Sequence, residues 1–183
     1  MKKMVFVIFT VLFLLSISSV ATAGKFGIGA FGGANIPIAQ QDEKAGALFG
    51  AKARIPLLPF LALEPNFTFA KFGGSDVDVR EQSFPIKGGD ITSFGADLIL
   101  GTFSSVSKMK FYGLVGINSN TFKREGFSKK TGVGLTLGPG FEFFATDILS
   151  VEARARYHAI KVGDGGKSHL ELTGGVNYYF GKE

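Results

Sequence analysis

From about residue 25 onward, apolar side chains recur at every second position through eight separate segments, with no convincing stripe at helical spacing. A period of two sends alternate side chains to opposite faces of an extended strand. The last segment shows it best. Leu170, Leu172, Gly174, Val176, Tyr178 and Phe180 share one face, and His169, Glu171, Thr173, Gly175, Asn177 and Tyr179 the other. Before it, Leu149, Val151, Ala153, Ala155 and Tyr157 alternate with Ser150, Glu152, Arg154, Arg156 and His158, and Val133 to Phe143 behave likewise. Segments near Phe94–Leu100, Leu61–Phe69, Ala47–Ile55 and Lys25–Ile38 repeat the pattern less cleanly. In the fifth, Phe111 to Phe122, Tyr112 and Leu114 compete with Phe111, Val115 and Ile117 for the apolar face, so its facing stays open.

Eight is an even number, and the connections alternate in length. Those near 57–60, 104–110 and 145–148 are short; those near 39–44, 73–90, 123–130 and 163–168 are longer and more polar. Three turns at one end and four loops at the other fit an up-and-down antiparallel barrel with both termini at the turn end. Strands of roughly 9–11 residues cross a bilayer at the usual tilt, and short turns opposite longer loops are the habit of outer-membrane barrels. If Asp164-Gly165 forms a two-residue hairpin turn, His158 faces Glu171 and Arg156 faces Thr173. Pro65 and Pro139 interrupt segments that otherwise read as strands and are expected to mark bulges.

Residues 1–23 read as a cleaved export signal: Lys2 and Lys3, an apolar stretch from Met4 to Ile17, then Ala21-Thr22-Ala23. The domain proper is then 24–183. Zero cysteines exclude a disulfide scaffold, Cys-ligated zinc and thiol catalysis. Two histidines argue against a multi-histidine metal centre, and a net charge of +5, lower still once Lys2 and Lys3 are removed, is too weak to imply nucleic acid.

Alternation alone does not separate a membrane barrel from a soluble calyx, because one is the other turned inside out. The polar face separates them. It carries Lys52, Arg54, Arg154 and Arg156 against Glu64, Asp97, Glu142, Glu152 and Glu171, four positive and five negative, with His158 beside them. Small residues space these charges, as suits a narrow lumen of ion pairs, and an eight-stranded barrel is just wide enough to be filled by side chains. The apolar face is too continuous for water, and aromatics such as Phe141, Phe143, Tyr178 and Phe180 gather toward strand ends, as an interfacial girdle requires.

The Gly-rich opening from Gly27 to Gly33, the stretch Gly138 to Phe144, the strand Val151 to Tyr157 and the close Gly175 to Phe180 together resemble the eight-stranded outer-membrane barrel family of the OmpA transmembrane domain and OmpX. The resemblance implies residence in the outer membrane, periplasmic termini, a monomer without cofactor, contact with lipid and lipopolysaccharide, and delivery by the outer-membrane insertion machinery. It also implies that Tyr178 and Phe180 belong to the aromatic assembly signal, although Gly181-Lys182-Glu183 follow the last Phe where many members end on the aromatic.

Some barrels of this size deacylate outer-leaflet lipid with a His-x-Ser pair and a neighbouring carboxylate. His158 and Glu171 suggest such a centre, but Ile160 occupies the nucleophile's place and parity points His158 inward. No catalytic, cofactor-binding or metal residue is therefore assigned, and the expected role is structural or surface-interactive, with at most a narrow lumen. A lipid-modifying enzyme is the alternative, and a secreted calyx the third. Residues 73–90 retain partial alternation, which suggests a hairpin protruding from the flanking strands and a possible surface partner along its edge.

Overall fold

The computed structural model describes residues 25–38, 44–73, 75–79, 82–86, 89–101, 108–124, 128–162 and 165–180; for 75–86 the backbone alone is described. Ten strands form: β1 (Phe26–Pro37), β2 (Gly46–Leu58), β3 (Leu61–Lys71), β4 (Ser75–Val79), β5 (Gln82–Ile86), β6 (Gly89–Gly101), β7 (Met109–Arg124), β8 (Lys130–Phe144), β9 (Leu149–Val162) and β10 (Gly165–Phe180). Eight of them close an antiparallel barrel in the order β1-β10-β9-β8-β7-β6-β3-β2. β1 and β10 seal it, pairing from Phe26↔Phe180 to Pro37↔His169. Closure leaves the barrel no open edge, the condition for a sheet in hydrocarbon. Among the described residues, no helix is long and apolar enough to cross a membrane.

Burial follows parity around the wall. Phe111 is 72% exposed and Leu135 61%, while Glu64 and Asn120 are fully buried. The open question at β7 closes here: Phe111, Val115 and Ile117 point out, and Tyr112 and Leu114 point in. Outward aromatics gather in tiers, Phe26–Phe180, Tyr178–Phe180 and Phe111–Phe141 toward the termini and Phe49–Phe69 toward the loops, with ring centroids 4.7–6.0 Å apart.

Three details differ from expectation. First, Pro65 and Pro139 make no bulges. The β2–β3 ladder lacks the Ala53/Pro65 and Arg54/Glu64 pairs, yet the register is the same on both sides of that gap, and the ladder's shift falls instead between Pro56 and Leu58, next to the turn. The β8–β9 ladder likewise skips the positions around Pro139 between Leu137↔Tyr157 and Gly140↔Arg154. On their other sides both are paired, Pro65↔Ala96 and Gly113↔Pro139. The cost of each missing N–H is therefore one local gap in a single ladder.

Second, the last hairpin pairs Val162↔Gly165, so Arg156 lies opposite Glu171 and His158 opposite His169, two residues away from the expected register. A slip of two keeps every side chain on its face, and this register puts the guanidinium across from a carboxylate rather than a threonine. It also carries β10 through the segment 165–168, most of the expected fourth loop. Third, the hairpin in 73–90 is a separate two-stranded sheet, β4–β5, rather than a direct extension of β3 and β6.

Glycines inside the wall make room for large neighbours. Gly140 pairs with Tyr112, and a Cβ there would strike the Tyr112 ring; Gly116 pairs with Asp97, and a Cβ would strike its carboxylate. Gly113, facing outward, has open space beside it. Gly140→Val is expected to lower unfolding stability by about 1–3 kcal/mol through overpacking, and Gly113→Val to leave it unchanged or raise it. Urea titrations of the folded barrel compare the two.

Candidate functional site: the ion-paired lumen

The interior is where the sequence places its costly residues. Two apolar clusters bracket it. Ala62, Ile99, Tyr112 and Leu114 pack toward the turn end, and Phe31, Leu48, Ala70, Phe72 and Ile91 toward the loop end. Between them run two layers of charge.

The first layer is balanced: Lys52, Arg54 and Arg154 face Glu64, Glu142 and Glu152, all buried. Lys52 and Arg54 alternate inward on β2, Glu64 is on β3, Glu142 on β8, and Glu152 and Arg154 on β9. Arg54 donates from Nε and Nη2 to Glu64 Oε2 at 2.9 and 2.8 Å, from Nη1 to Glu142 Oε2 at 2.6 Å and from Nη2 to Glu152 Oε1 at 2.7 Å. Arg154 grips both oxygens of Glu64 and reaches Glu152 Oε1 at 2.8 Å. Lys52 pairs with Glu152, to which the Tyr112 hydroxyl also donates. Tyr179 Oη and Asn177 Nδ2 donate to Glu142 Oε1 at 2.6 and 2.8 Å, and Ser150 Oγ joins them at 2.5 Å. Buried charges persist where partners and hydrogen bonds replace water on all sides, and Glu64, bound by two guanidinium groups from different strands, is the joint of this layer.

The second layer lies nearer the loops and is not balanced. Arg156 is 2.6 Å from Glu171 and 3.5 Å from Asp97, so one cation serves two carboxylates. His158 Nε2 lies 3.1 Å from Glu171 Oε2, and His169 Nε2 3.4 Å from Oε1. The two imidazoles stack, centroids 4.5 Å apart and 10° between planes. Asn118, Asn120, Thr136 and Ser93 continue the polar lining.

All ten charged or titratable residues assigned to the lumen from the sequence, Lys52, Arg54, Glu64, Asp97, Glu142, Glu152, Arg154, Arg156, His158 and Glu171, are buried inside the barrel and fall into these two layers. Tyr178 and Phe180 stand on the outer wall. Sequence reasoning omitted His169, Tyr179 and Tyr112 from the network, and it did not mark the buried Asn35. His169 and Tyr179 already shared a parity with Glu171 and Asn177, which was the available signal. His158, paired with Glu171, has Ile160 two positions on, also buried, where the deacylase pattern would carry its serine.

Fold and lumen together define a closed transmembrane barrel whose interior is filled with paired charge. The outer membrane protein beta-barrel domain family matches residues 7–180. The chain belongs to that family. Among solved structures it is similar to Neisserial surface protein A, NspA (TM-score 0.60, 20% identity, 86% of this chain and 98% of that one). It is similar also to OprG of Pseudomonas aeruginosa (TM-score 0.56, 16% identity, 87% and 97%) and to Ail, the attachment invasion locus protein of Yersinia pestis (TM-score 0.51, 18% identity, 85% and 97%). At such identities these likenesses speak for the fold. No curated protein matches the sequence.

Proposed function

We propose that this chain is a non-enzymatic outer-membrane barrel that holds a surface-interactive segment, β4–β5, above the membrane on a rigid stem. Residues 1–23 are its export signal, both termini are periplasmic, and Tyr178 and Phe180 are read by the insertion machinery. It works as a monomer, without cofactor, amid lipid and lipopolysaccharide. The observation that carries this reading is the lumen itself. Its charges are buried and turned toward one another, and His158 faces inward against Glu171, away from any acyl chain.

The stem gives the loops a fixed base, and β4–β5 adds a short sheet whose edges pair with no other described strand, suited to an extended partner adding as a strand. In another structure of Ail, 17% identical here, the barrel is in complex with the heparin analogue sucrose octasulfate. In this chain exposed Lys123, Lys129 and Lys130 flank one loop and would favour an anionic surface in the same way.

Replacing residues 75–86 by a Gly-Ser linker is expected to abolish adherence of expressing cells while the barrel still runs compact in cold detergent and shifts on boiling. Adherence that survives the replacement counts against the role of β4–β5. A change in lipid acylation that His158→Ala abolishes would restore the enzyme alternative.

A further inference from the structure

The unbalanced layer contains the only two histidines in the sequence, and the barrel brings both to one carboxylate. His158 comes from β9; His169 and Glu171 come from β10, two residues apart and therefore on one face. One ligand atom from each of the three lies within 4.8 Å of the others, and all three residues are buried. We propose that His158, His169 and Glu171 form a lumenal binding site for a divalent transition-metal cation of the zinc class.

Geometry supports it. Metal–nitrogen and metal–oxygen bonds of about 2.0–2.2 Å in a tetrahedron set ligand atoms roughly 3.3–3.6 Å apart. His158 Nε2 is 3.1 Å from Glu171 Oε2 and His169 Nε2 is 3.4 Å from Oε1, so the two imidazoles flank the two oxygens of one carboxylate at about this spacing.

The site is also unsatisfied as it stands. His158 Nε2 and Glu171 Oε2 are buried without an aligned hydrogen bond, the ion contact with Arg156 notwithstanding. Asn35, fully buried, leaves both its side-chain oxygen and nitrogen without a partner. Asn35 pairs directly with Glu171 across β1–β10, within the ~5 Å Cβ separation of opposed residues. Its amide oxygen is the natural fourth ligand. The two Asn35 atoms cost desolvation without return, and a cation would take up the amide oxygen.

Charge agrees. His158 Nδ1 lies 3.1 Å from Asn118 Nδ2, which only donates, and 3.3 Å from Thr136 Oγ1. A cation at Nε2 moves the ring proton to Nδ1, where Thr136 Oγ1 is the acceptor within reach. Asp97 and Glu171 against Arg156 leave one negative charge in this layer, whereas the layer below it is neutral. A divalent cation brings its counter-charge to the place that lacks one.

The test uses the untagged chain refolded in detergent micelles, with Zn2+ alone as the probe and calorimetry as the readout. The folded barrel is expected to take up one Zn2+ and to need a higher temperature before it loses its compact gel mobility. His158→Gln, His169→Gln and Glu171→Gln are each expected to weaken uptake by more than roughly 100-fold, beyond the loss usual for an outer-shell residue. No uptake by the folded wild type, or unchanged affinity in any of the three variants, overturns the proposal. Should a variant fail to fold, the wild type still decides. Paramagnetic Co2+ must shift or broaden both histidine side-chain resonances together at one equivalent, and resonances that stay put, or only one that moves, overturn it as well.

Discussion

Glu64→Gln is expected to cost about 3–5 kcal/mol of unfolding free energy, the range for removing one partner from a buried ionic cluster. Glu64 is fully buried and takes hydrogen bonds from Arg54 and Arg154, with Lys52 3.9 Å away. The substitution leaves three cations facing two carboxylates in a space without water to spare. A neutral amide also presents donors of its own to two guanidinium groups that only donate. The companion Glu64→Leu/Arg154→Leu removes one charge of each sign, so Lys52 and Arg54 again balance Glu142 and Glu152. Most of the loss is expected to return, because a buried pair exchanged for apolar side chains is often near neutral. Urea unfolding in phospholipid vesicles measures both. If the double variant is no more stable than Glu64→Gln, charge balance is not what holds this layer.

Which face each lumenal charge occupies was legible, because parity is a local property and β2, β3, β8, β9 and β10 each carry charge on one parity only across the span that carries the lumenal charges. Who meets whom was not. Glu64 and Arg154 are ninety positions apart and meet across the barrel because closure and stagger bring β3 and β9 face to face at that height. Nothing local encodes that. The same limit explains the last hairpin. A shift of two residues preserves both faces, so alternation is blind to it, and the choice falls to tertiary pairs such as Arg156 with Glu171. The strand β7 was ambiguous for a different reason. Tyr112 and Leu114 are apolar lumen residues, closing the turn end of the interior with Ala62 and Ile99, and polarity does not tell inside from outside where the interior is itself apolar. Phe31, Leu48 and Ile91 break the rule in the same way at the other end.

The two layers also differ in what they can do. The lower one, balanced and bonded on nearly every atom, behaves as a structural lock between distant strands. The upper one has polar atoms to spare, and it sits beneath the loop-end apolar cluster, where Phe72 meets the His169 ring edge-on at 6.1 Å. Stability and any chemistry of this barrel are thus separated along its axis, which is why Glu64 is the residue to test for the first and His169 for the second.

Leu137→Arg is expected to lower the free energy of folding into bilayers by about 2–4 kcal/mol, the cost of arginine at the midplane on the lipid face of a barrel. Leu137 is 56% exposed on the outer wall at mid-strand, paired with Val115 and Tyr157. At the turn end, Ile148 is 42% exposed, and Ile148→Arg is expected to cost no more than about 1 kcal/mol, since penalties fall away toward the interface. The two substitutions exchange similar aliphatic groups for the same cation, and neither side chain is buried in protein. Depth in hydrocarbon is the variable that separates them. In a soluble calyx both positions would face water, and arginine would be tolerated at either to within about 0.5 kcal/mol. Equilibrium folding titrations into phospholipid vesicles give the difference directly. A mid-wall penalty no larger than the one at the turn would mean that the apolar face does not meet lipid, and the outward orientation of Leu137, Val115 and Leu98 would need another explanation.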